Sequence, residues 1–283
     1  METKRAYKFR FYPTDEQAKM LAQTFGCARF AYNYMLRQRT DAWFQRQERV
    51  GYHETSAMLT ALKKQPEFAW LNDVSSVPVQ QSLRHLQTAF GNFFAKRNGY
   101  PQFKKKDGHQ SAEYTTSAFK WADNKLTIAK AGVLNIRFSR TIPKTAKVTT
   151  VTVSKDTAGR YFVSMLCTDE VQAKPAAQAK VGIDLGLTHF AILSTGEKIA
   201  SPKAFAANEK KLAKAQRVLA KKQKGSANRK KAKLKVARLH AKIADARKDF
   251  LHKLSTRLVN ENQVIAIETL AVSNMQKNRC LAK

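Results

Sequence analysis

The sequence has little cysteine, little acid and no long apolar run, and each scarcity excludes a class of protein. Its three cysteines, Cys27, Cys167 and Cys280, are widely spaced, which matches neither a disulfide framework nor a C-x-x-C metal site. No stretch of about 18 apolar residues occurs, so no membrane-spanning helix is predicted. The N-terminus lacks the apolar core of a secretory signal. We therefore expect a cytoplasmic or nucleoid-associated protein.

The scarcity of acids is the strongest constraint on function. Against 52 Lys and Arg residues stand 21 Asp and Glu residues, a formal net charge of +31. A surface this basic repels itself, and it indicates a polyanionic partner. Nucleic acid is the first candidate and a membrane surface the second. The 283 residues, of which 43% are hydrophobic, suffice for about two domains with buried cores.

The first part of the chain predicts a strand, a set of helices and then several strands. Alternation over residues 4–12 indicates a half-buried strand, and Thr14 with Gln17 forms a T-x-x-Q capping box that opens a helix. Further helices are predicted near 54–64 and 77–97. The period then changes to two, with strands predicted at 125–129, 133–138, 147–154 and 160–168. These strands predict a small β-barrel or sandwich, completed by the first strand, and 171–180 reads as a linker.

The remainder predicts an α/β unit. Its opening segment, VGIDLGLTHFAILSTGEKIASP, holds two strands in succession, and a third is predicted at 197–200. A helical region dense in Lys and Arg follows at 206–258, interrupted near Gly225-Ser226. Residues 263–267 then read as a buried strand that ends in Glu268. Strands, long helices and a further strand form an α/β order.

Two acidic residues carry the chemistry of this unit. Asp184 lies within the first of its strands and Glu268 ends the last, so pairing of the two strands would bring the carboxylates to one sheet edge. Convergent carboxylates suit Mg²⁺, a cation that prefers oxygen ligands. Two such ions about 4 Å apart stabilise both the attacking water and the departing oxygen of a phosphodiester. Two other readings stay open: a structural Asp184, or the phosphate turn of actin-like ATPases, which requires a second D-x-G that this sequence does not contain.

Several segments resemble one known family. VGIDLGLTHFAILSTGEKIASPK and VIAIETLAVSNMQKNR resemble the first and second RuvC motifs of the TnpB (OrfB) family of insertion-sequence proteins, relatives of type V CRISPR effectors. KFRFYPTDEQ, GCARFAYNYML, FGNFFAKRNGYPQFKKK and DFLHKLSTRLV resemble further segments of that family, in order along the chain. The resemblance implies an α+β multidomain protein. Its expected parts are a β-barrel wedge domain (1–13 and 98–178), an inserted helical recognition domain (14–97) and an RNase H-like, or RuvC, α/β domain (179–283).

The resemblance also implies the site and its cofactor. Asp184 and Glu268 match two of the three acidic ligands of the RuvC site, which binds Mg²⁺. Family members continue to a zinc ribbon of two C-x-x-C pairs and a third catalytic Asp, and this sequence ends at Lys283 with neither. We therefore expect an incomplete RuvC domain and no zinc. Asp245, Asp249 and Glu261 are possible substitute ligands, although Asp245 and Asp249 also suit ion pairs with basic residues four positions away.

Candidate nucleic-acid contacts are of two kinds. Basic or aromatic segments suit phosphate contact and base stacking, although each can also be an ordinary solvated surface. They comprise Tyr100, Phe103, Lys104, Lys105, Lys106, Lys221, Lys222, Arg229 and Lys230, with Arg37, Arg39, Arg46 and Arg49 near one helix end. The resemblance adds four polar positions that match family segments reading a short DNA motif beside the target: Tyr52, Ser56, Ser76 and Gln80.

These expectations combine into one leading function. The resemblance implies an RNA-guided, Mg²⁺-dependent DNA endonuclease of a transposon, with a guide RNA made from the transposon end and double-stranded DNA as target. Base pairing with the guide reads the target sequence, and the protein holds the heteroduplex by its shape. The alternatives are a nuclease-inactive RNA-guided DNA-binding protein or repressor, an RNase H-like recombinase, and a non-specific basic binder. With two carboxylates, cleavage by this chain alone is an open question.

Overall fold

The computed structural model describes residues 2–170, 175–186, 188–203, 206–275 and 277. The chain divides into two compact units, 1–172 and 173–283. Within the described ranges, no helix combines the length and the apolar character that crossing a bilayer requires. The predicted linker, 171–180, falls partly outside this description, since residues 171–174 are not described, and a strand already begins at Ala179.

The first unit contains eight strands and three α-helices. The strands are β1 Glu2–Phe11, β2 Gln110–Thr115, β3 Phe119–Ala122, β4 Lys125–Ile128, β5 Gly132–Val133, β6 Ile136–Arg137, β7 Lys147–Lys155 and β8 Tyr161–Glu170. The helices are α1 Asp15–Arg46, α2 Tyr52–Leu62 and α3 Ser76–Phe94, with a 3-10 segment at Pro66–Asn72. The three predicted helices are thus confirmed, as are the predicted strands that became β1, β4, β7 and β8.

The predicted barrel is wrong, because the strands of the first unit form open sheets. Five strands pair in the order β2-β7-β8-β1-β6, and β3, β4 and β5 pair separately. The last strand of the larger sheet, β6, has only two residues, so the hydrogen-bonded ladder ends beside Arg10 and Phe11. A left-handed backbone at Asp123 and Asn124 closes the tight β3–β4 hairpin, which keeps these strands paired with each other. The first strand does complete the sheet, between β8 and β6.

One long helix connects two hydrophobic cores. Helix α1 has 32 residues, about 48 Å of helix at 1.5 Å per residue. Near its start, Leu21 and Phe25 pack into a core with the inward side chains of the strands, including Phe9 and Phe11. Further along, Met35 and other α1 side chains pack into a second core with α2 and α3. Because both cores share this helix, the sheet and the helices form one compact unit.

The start of α1 is anchored by the capping box that the sequence predicts. The backbone N–H of Gln17 donates to the Thr14 hydroxyl at 3.2 Å, and the backbone N–H of Thr14 donates to Gln17 Oε1 at 3.2 Å. The Gln17 amide also donates to the carbonyls of Ala131 and Val133, at 3.0 and 2.7 Å. Gln17 therefore caps the helix and joins it to the segment between β4 and β6.

The second unit is a four-stranded sheet with long helices between two of its strands. Its elements are β9 Ala179–Asp184, β10 His189–Leu193, β11 Lys198–Ala200, α4 Ala206–Ala220, α5 Ala227–Glu261, β12 Asn262–Ile267 and the short α6 Val272–Met275. The order is β11-β10-β9-β12, with β9 and β10 antiparallel and β9 and β12 parallel. The strands and the helical interruption that the sequence predicts here are confirmed. The predicted burial of 263–267 is wrong: β12 is the edge strand of the sheet, and Val264 and Ile267 are 47% and 69% exposed.

We expect Gln17→Ala to destabilise the first unit by about 1–3 kcal/mol, because the change removes a helix cap and two hydrogen bonds to backbone carbonyls. All three tryptophans, Trp43, Trp70 and Trp121, lie in this unit, so their fluorescence during urea unfolding reports its stability alone. Lys19→Ala, an exposed change on the same turn, is the matched control. Equal unfolding midpoints for the two variants would contradict the assigned role.

Candidate active site and nucleic-acid interface

The register of two parallel strands places the predicted acidic residues side by side. Strands β9 and β12 pair with Ile183 opposite Ile267, and Asp184 and Glu268 are the next residue on each. Neighbouring parallel strands lie about 4.8 Å apart, and residues at equal register point to the same face of the sheet. The two acidic residues therefore lie at the carboxyl ends of adjacent parallel strands.

Hydrophobic packing and hydrogen bonds to a neighbouring segment both stabilise the strand that carries Asp184. Val181 is buried, and Ile183 and Ile265 pack against the same core. On the other side, the backbone N–H of Gly182 donates to the Ser194 hydroxyl at 3.0 Å, and the N–H of Ser194 donates to the Gly182 carbonyl at 2.9 Å. Hydrophobic packing and these hydrogen bonds fix the register on which the acidic pair depends.

The acidic pair is open to solvent and has no protein partner. Asp184 and Glu268 are both exposed, and neither has a hydrogen bond or an ion pair within the described ranges. The same part of the chain contains no cluster of three or more His, Cys, Asp or Glu side chains arranged for a metal ion. Two adjacent carboxylates with free oxygen atoms are a fitting donor set for a hard divalent cation.

The proposed substitute ligands are engaged elsewhere. Asp249 accepts an ion pair from Lys253 at 2.7 Å, which confirms the predicted pairing four positions away. Glu261 interacts electrostatically with Arg257, whose guanidinium also donates to Glu197 at 2.8 Å. Asp245 has an interaction partner as well. Because these three residues interact with other groups, Asp184 and Glu268 remain the candidate ligands.

The lysine-rich helices present most of their charge to solvent. Within α5, which has 35 residues, only Ile243 and Leu258 are buried. Lys221, Lys222 and Lys230 are exposed, and Arg229 is half-buried. The Arg229 guanidinium donates to the carbonyls of Leu219 and Lys222 at 3.0 and 2.7 Å, which closes the turn between α4 and α5. Arg229 is thus part of the scaffold, and the three lysines remain the candidate phosphate contacts.

The basic loop after α3 is only partly available to a ligand. The Tyr100 hydroxyl bonds to Thr40 at 2.8 Å, and its ring packs edge-on against Phe90 and Phe93. The Lys104 ammonium lies 4.2 Å from the centroid of the Tyr32 ring, and its burial lowers the pKa of this lysine.

Lys104 is itself exposed but lies against the Tyr32 ring. Three further exposed candidate contacts of the same loop are Phe103, Lys105 and Lys106. The Gln110 amide donates to the backbone carbonyls of Lys105 and Lys106, both at 3.0 Å, which orders the segment. These three residues are therefore available for contact with a nucleic acid, whereas Tyr100 belongs to the packing of the helices.

The four polar positions lie on two neighbouring helices. Tyr52 and Ser56 are in the first turns of α2, and Ser76 and Gln80 are one turn apart at the start of α3. Arg84, one further turn along α3, lies 5.2 Å over the Tyr52 ring and is exposed. Sequence reasoning missed Arg84, although its spacing of four from Gln80 predicts the same helix face.

The outward face of the larger sheet holds a second group that sequence reasoning did not select. Lys8, Arg10 and Arg160 lie 4.6, 5.2 and 5.3 Å from the centroid of the Phe162 ring. Arg10 also lies 5.4 Å over the Tyr12 ring, and its Nε atom is buried without a hydrogen-bond partner in the described part of the chain. Cations around aromatic rings suit phosphate and base contacts. The alternation in β1, with Lys8, Arg10 and Tyr12 outward, was the available signal.

Two family models match the sequence. A model described as "Probable transposase", of the OrfB type from IS605 elements, matches residues 150–279. A second model of the same family, described as "Helix-turn-helix domain", matches residues 1–48. Over the described part of that range the structure has a strand and a single continuous helix, β1 and α1.

Two curated relatives align along nearly the whole chain. A protein of Streptomyces pristinaespiralis named "Putative RNA-guided DNA endonuclease" is 59% identical over 100% of this chain and 71% of its own length. "Putative RNA-guided DNA endonuclease InsQ" of Escherichia coli K12 is 35% identical over 98% of this chain and 69% of its own length. Among solved structures, a CRISPR-Cas12f ternary complex is similar at 13% identity and a TM-score of 0.39, over 94% of this chain and 65% of that one.

We expect Arg229→Gln to loosen the turn between α4 and α5, since the change removes a charged donor from two backbone carbonyls. Hydrogen bonds to charged groups contribute about 1.5–3 kcal/mol, so amides in the last turn of α4 and the first turn of α5 should exchange roughly tenfold faster or more. Lys230→Gln removes the same charge from the adjacent exposed position and should leave exchange unchanged. Hydrogen-exchange mass spectrometry checks both variants. Indistinguishable exchange would show that Arg229 does not hold the turn.

Proposed function

This chain belongs to the TnpB (OrfB) family of insertion-sequence proteins, and from that premise we propose that it is an RNA-guided DNA endonuclease of a transposon. The proposal includes cleavage of double-stranded DNA beside a short adjacent motif, by Asp184 and Glu268 in an RNase H-like domain. Its guide would be an RNA derived from the transposon end. The observation that carries the proposal is the register of β9 and β12, which aligns the two acidic residues.

The topology of the second unit supports the RNase H-like assignment. Three antiparallel strands in succession are followed by long helices and a strand that returns parallel to the first, beside it. The acidic residues then lie at the carboxyl ends of the two adjacent parallel strands, where residues from distant parts of the chain converge. This arrangement is the one that the two RuvC-like motifs predict.

The chemistry of the acidic pair supports a magnesium site. Asp184 and Glu268 offer carboxylate oxygens, face solvent and lack protein partners within the described residues, so they fit Mg²⁺. When bound, Mg²⁺ supplies activation of water and stabilisation of the departing phosphodiester oxygen. The role of the two residues is to hold that charge at one face of the sheet. Without a cation, their negative charges repel each other and the phosphate of the substrate.

The exposed basic surfaces support an RNA and DNA partner. Lys221, Lys222 and Lys230 on the helices of the second unit, and Lys105 and Lys106 in the first, have free ammonium groups for phosphate contacts. Phosphate contacts position a nucleic acid without reading its sequence. In the proposed function, sequence is read by the guide RNA, and the polar side chains of α2 and α3 contact the adjacent DNA motif.

A nuclease-inactive RNA-guided DNA-binding protein is the second candidate. It differs from the first candidate in one step only, the cleavage that Asp184 and Glu268 are proposed to support. Such a protein would bind the guide RNA and the target DNA but would not cleave the DNA. A recombinase, by contrast, would join element ends without RNA, and a non-specific binder would show no sequence preference and a steep dependence on salt.

The first experiment is to sequence the RNA that co-purifies with the full chain. We expect one discrete species with a constant scaffold and a short variable end, because guided recognition requires a fixed fold for the protein and a variable segment for the target. Chain mixed with total RNA after nuclease treatment is the control. Heterogeneous fragments, or none, would contradict guidance and favour the recombinase and the non-specific binder.

Asp184→Asn and Glu268→Gln should each weaken Mn²⁺ binding to the full chain by roughly tenfold or more, because each change removes a charged oxygen ligand. Calorimetric titration measures the affinity, with Mn²⁺ as the probe for the Mg²⁺ site. Neither variant should lose folding stability, since each relieves repulsion between adjacent carboxylates.

Asp249→Asn is the matched control, as it removes an equally exposed carboxylate that is already paired with Lys253. In the RNA-loaded protein, any cleavage of target DNA should disappear in Asp184→Asn while target binding persists. Unchanged Mn²⁺ affinity in both site variants would refute the metal site. Loss of DNA binding together with cleavage would assign Asp184 to the fold instead.

A further inference from the structure

The ends of α1 and α3 and the segment between α1 and α2 enclose an aromatic pocket, whose lining includes the predicted contacts Arg39, Arg49 and Tyr100. Its cavity volume is about 520 Å³, within the range of roughly 300–1,000 Å³ typical of sites for nucleotide-sized ligands. Six rings line it, from Trp43, Phe44, Phe90, Phe93, Phe94 and Tyr100. The whole pocket lies in the first unit.

The rings of this aromatic pocket form two groups with different exposure. Phe90 is buried, and its ring stacks near that of Phe94 with centroids 6.2 Å apart. Phe44 and Phe94, by contrast, are 70% and 72% exposed, and Trp43 is 41% exposed. Large exposed apolar side chains that cluster mark an interaction site more often than chance scatter does. The exposed rings therefore offer flat faces to a ligand above a fixed aromatic floor.

Two arginines that form no ion pair among the described residues border the same pocket. The Arg39 guanidinium lies 4.0 Å from the centroid of the Phe90 ring and donates to Gln87 at 2.9 Å. Arg39 and Arg49 have no ion pair in the described part of the chain. The one acid of the lining, Glu48, is paired with Arg46 at 2.8 Å. The pocket thus combines ring faces with free positive charge.

From this juxtaposition we infer that the aromatic pocket binds an unpaired nucleotide of single-stranded RNA, with the base against Phe44 and Phe94 and a phosphate near Arg39 and Arg49. Bases of either nucleic acid stack on aromatic rings. Unpaired bases that are splayed out and held on aromatic side chains are the usual targets of RNA recognition, whereas target DNA arrives as a duplex and exposes single-stranded bases only after the guide has paired. The inference rests on the proposed function, since it names a contact within the RNA complex.

A second copy of the chain fits this pocket less well. A two-fold interface places the same patch of both copies face to face, which would bring the arginines of one copy against those of the other. The chain as a whole carries a net charge of +31, and this adds to the repulsion. A negatively charged occupant avoids this electrostatic repulsion. The phosphates of RNA supply such a charge.

The test compares two double variants that differ in the aromatic ring and little else. Phe44→Leu with Phe94→Leu keeps apolar side chains and loses both stacking faces, whereas Phe44→Tyr with Phe94→Tyr keeps them. Both positions are exposed, so neither pair should disturb the fold. We expect the leucine variant to bind a labelled short polyuridylate roughly fivefold or more weakly than the native chain, and the tyrosine variant to bind as the native chain does. Fluorescence anisotropy of the full chain measures the affinities.

A crosslinking experiment adds a direct readout. Polyuridylate that carries 5-iodouridine, irradiated in complex with the native chain, should crosslink to Trp43, Phe44 or Phe94, as mapped by mass spectrometry. Crosslinks only outside these residues would overturn the inference. A weakening confined to single-stranded DNA of the same length would overturn the assignment to RNA.

Two further outcomes separate this inference from the proposed function. If the native chain binds RNA and the leucine variant binds it equally well, the pocket inference is wrong and the RNA-guided function stands. If the native chain does not bind RNA, both are wrong. Dissociation of a native dimer by the leucine pair, seen by sedimentation with RNA affinity unchanged, would instead make the pocket an interface between copies.

Discussion

The parallel pairing of β9 with β12 is the interaction on which the proposed chemistry depends. The chain between the two strands contains β10, β11 and both long helices, and the register with Ile183 opposite Ile267 brings Asp184 and Glu268 to the ends of adjacent strands. A slip of one residue would send one carboxylate to the opposite face of the sheet. Burial of Val181, with Ile183 and Ile265 packed against the same core, makes such a slip costly. Hydrophobic packing thus fixes the distance between two charges that repel each other.

The density of positive charge limits the stability of the long helices in the second unit. Helix α5 buries Ile243 and Leu258 and exposes nearly all of its basic side chains. Burial of two side chains contributes little stability to a helix of 35 residues, and repulsion between its lysines lowers that stability further. Hydrogen bonds from Arg229 to two backbone carbonyls therefore matter more here than in a well-packed hairpin. A bound polyanion would remove the repulsion, so the surface that suits nucleic acid is also one that nucleic acid would stabilise.

Local patterns predicted most of the elements, and longer-range pairing was where sequence reasoning failed. Thr14 and Gln17 lie three positions apart, within a single helical turn, and their capping box is present as predicted. Whether a set of strands closes into a barrel depends on contacts at both sheet edges, and no local pattern reports that the ladder ends after Ile136 and Arg137. Arg229 shows the same limit of local patterns. The basic composition of its segment predicts a phosphate contact, whereas its position at a turn makes it a hydrogen-bond donor to backbone carbonyls. The pairing of the strands that carry Asp184 and Glu268 was predictable because each acidic residue follows a run of hydrophobic residues.

Aromatic residues show the same limit most clearly at the end of α3. Helical spacing places Leu83, Leu86, Phe90, Phe93 and Phe94 on one apolar stripe, and the first three are buried. Beyond Phe90 the helix continues to Phe94, whose ring is 72% exposed. The hydrophobic pattern states which face is apolar, but the ends of neighbouring helices decide what covers it. Arg39 over the Phe90 ring marks where the buried core of the helices passes into the exposed rings, since its cation lies on an aromatic face.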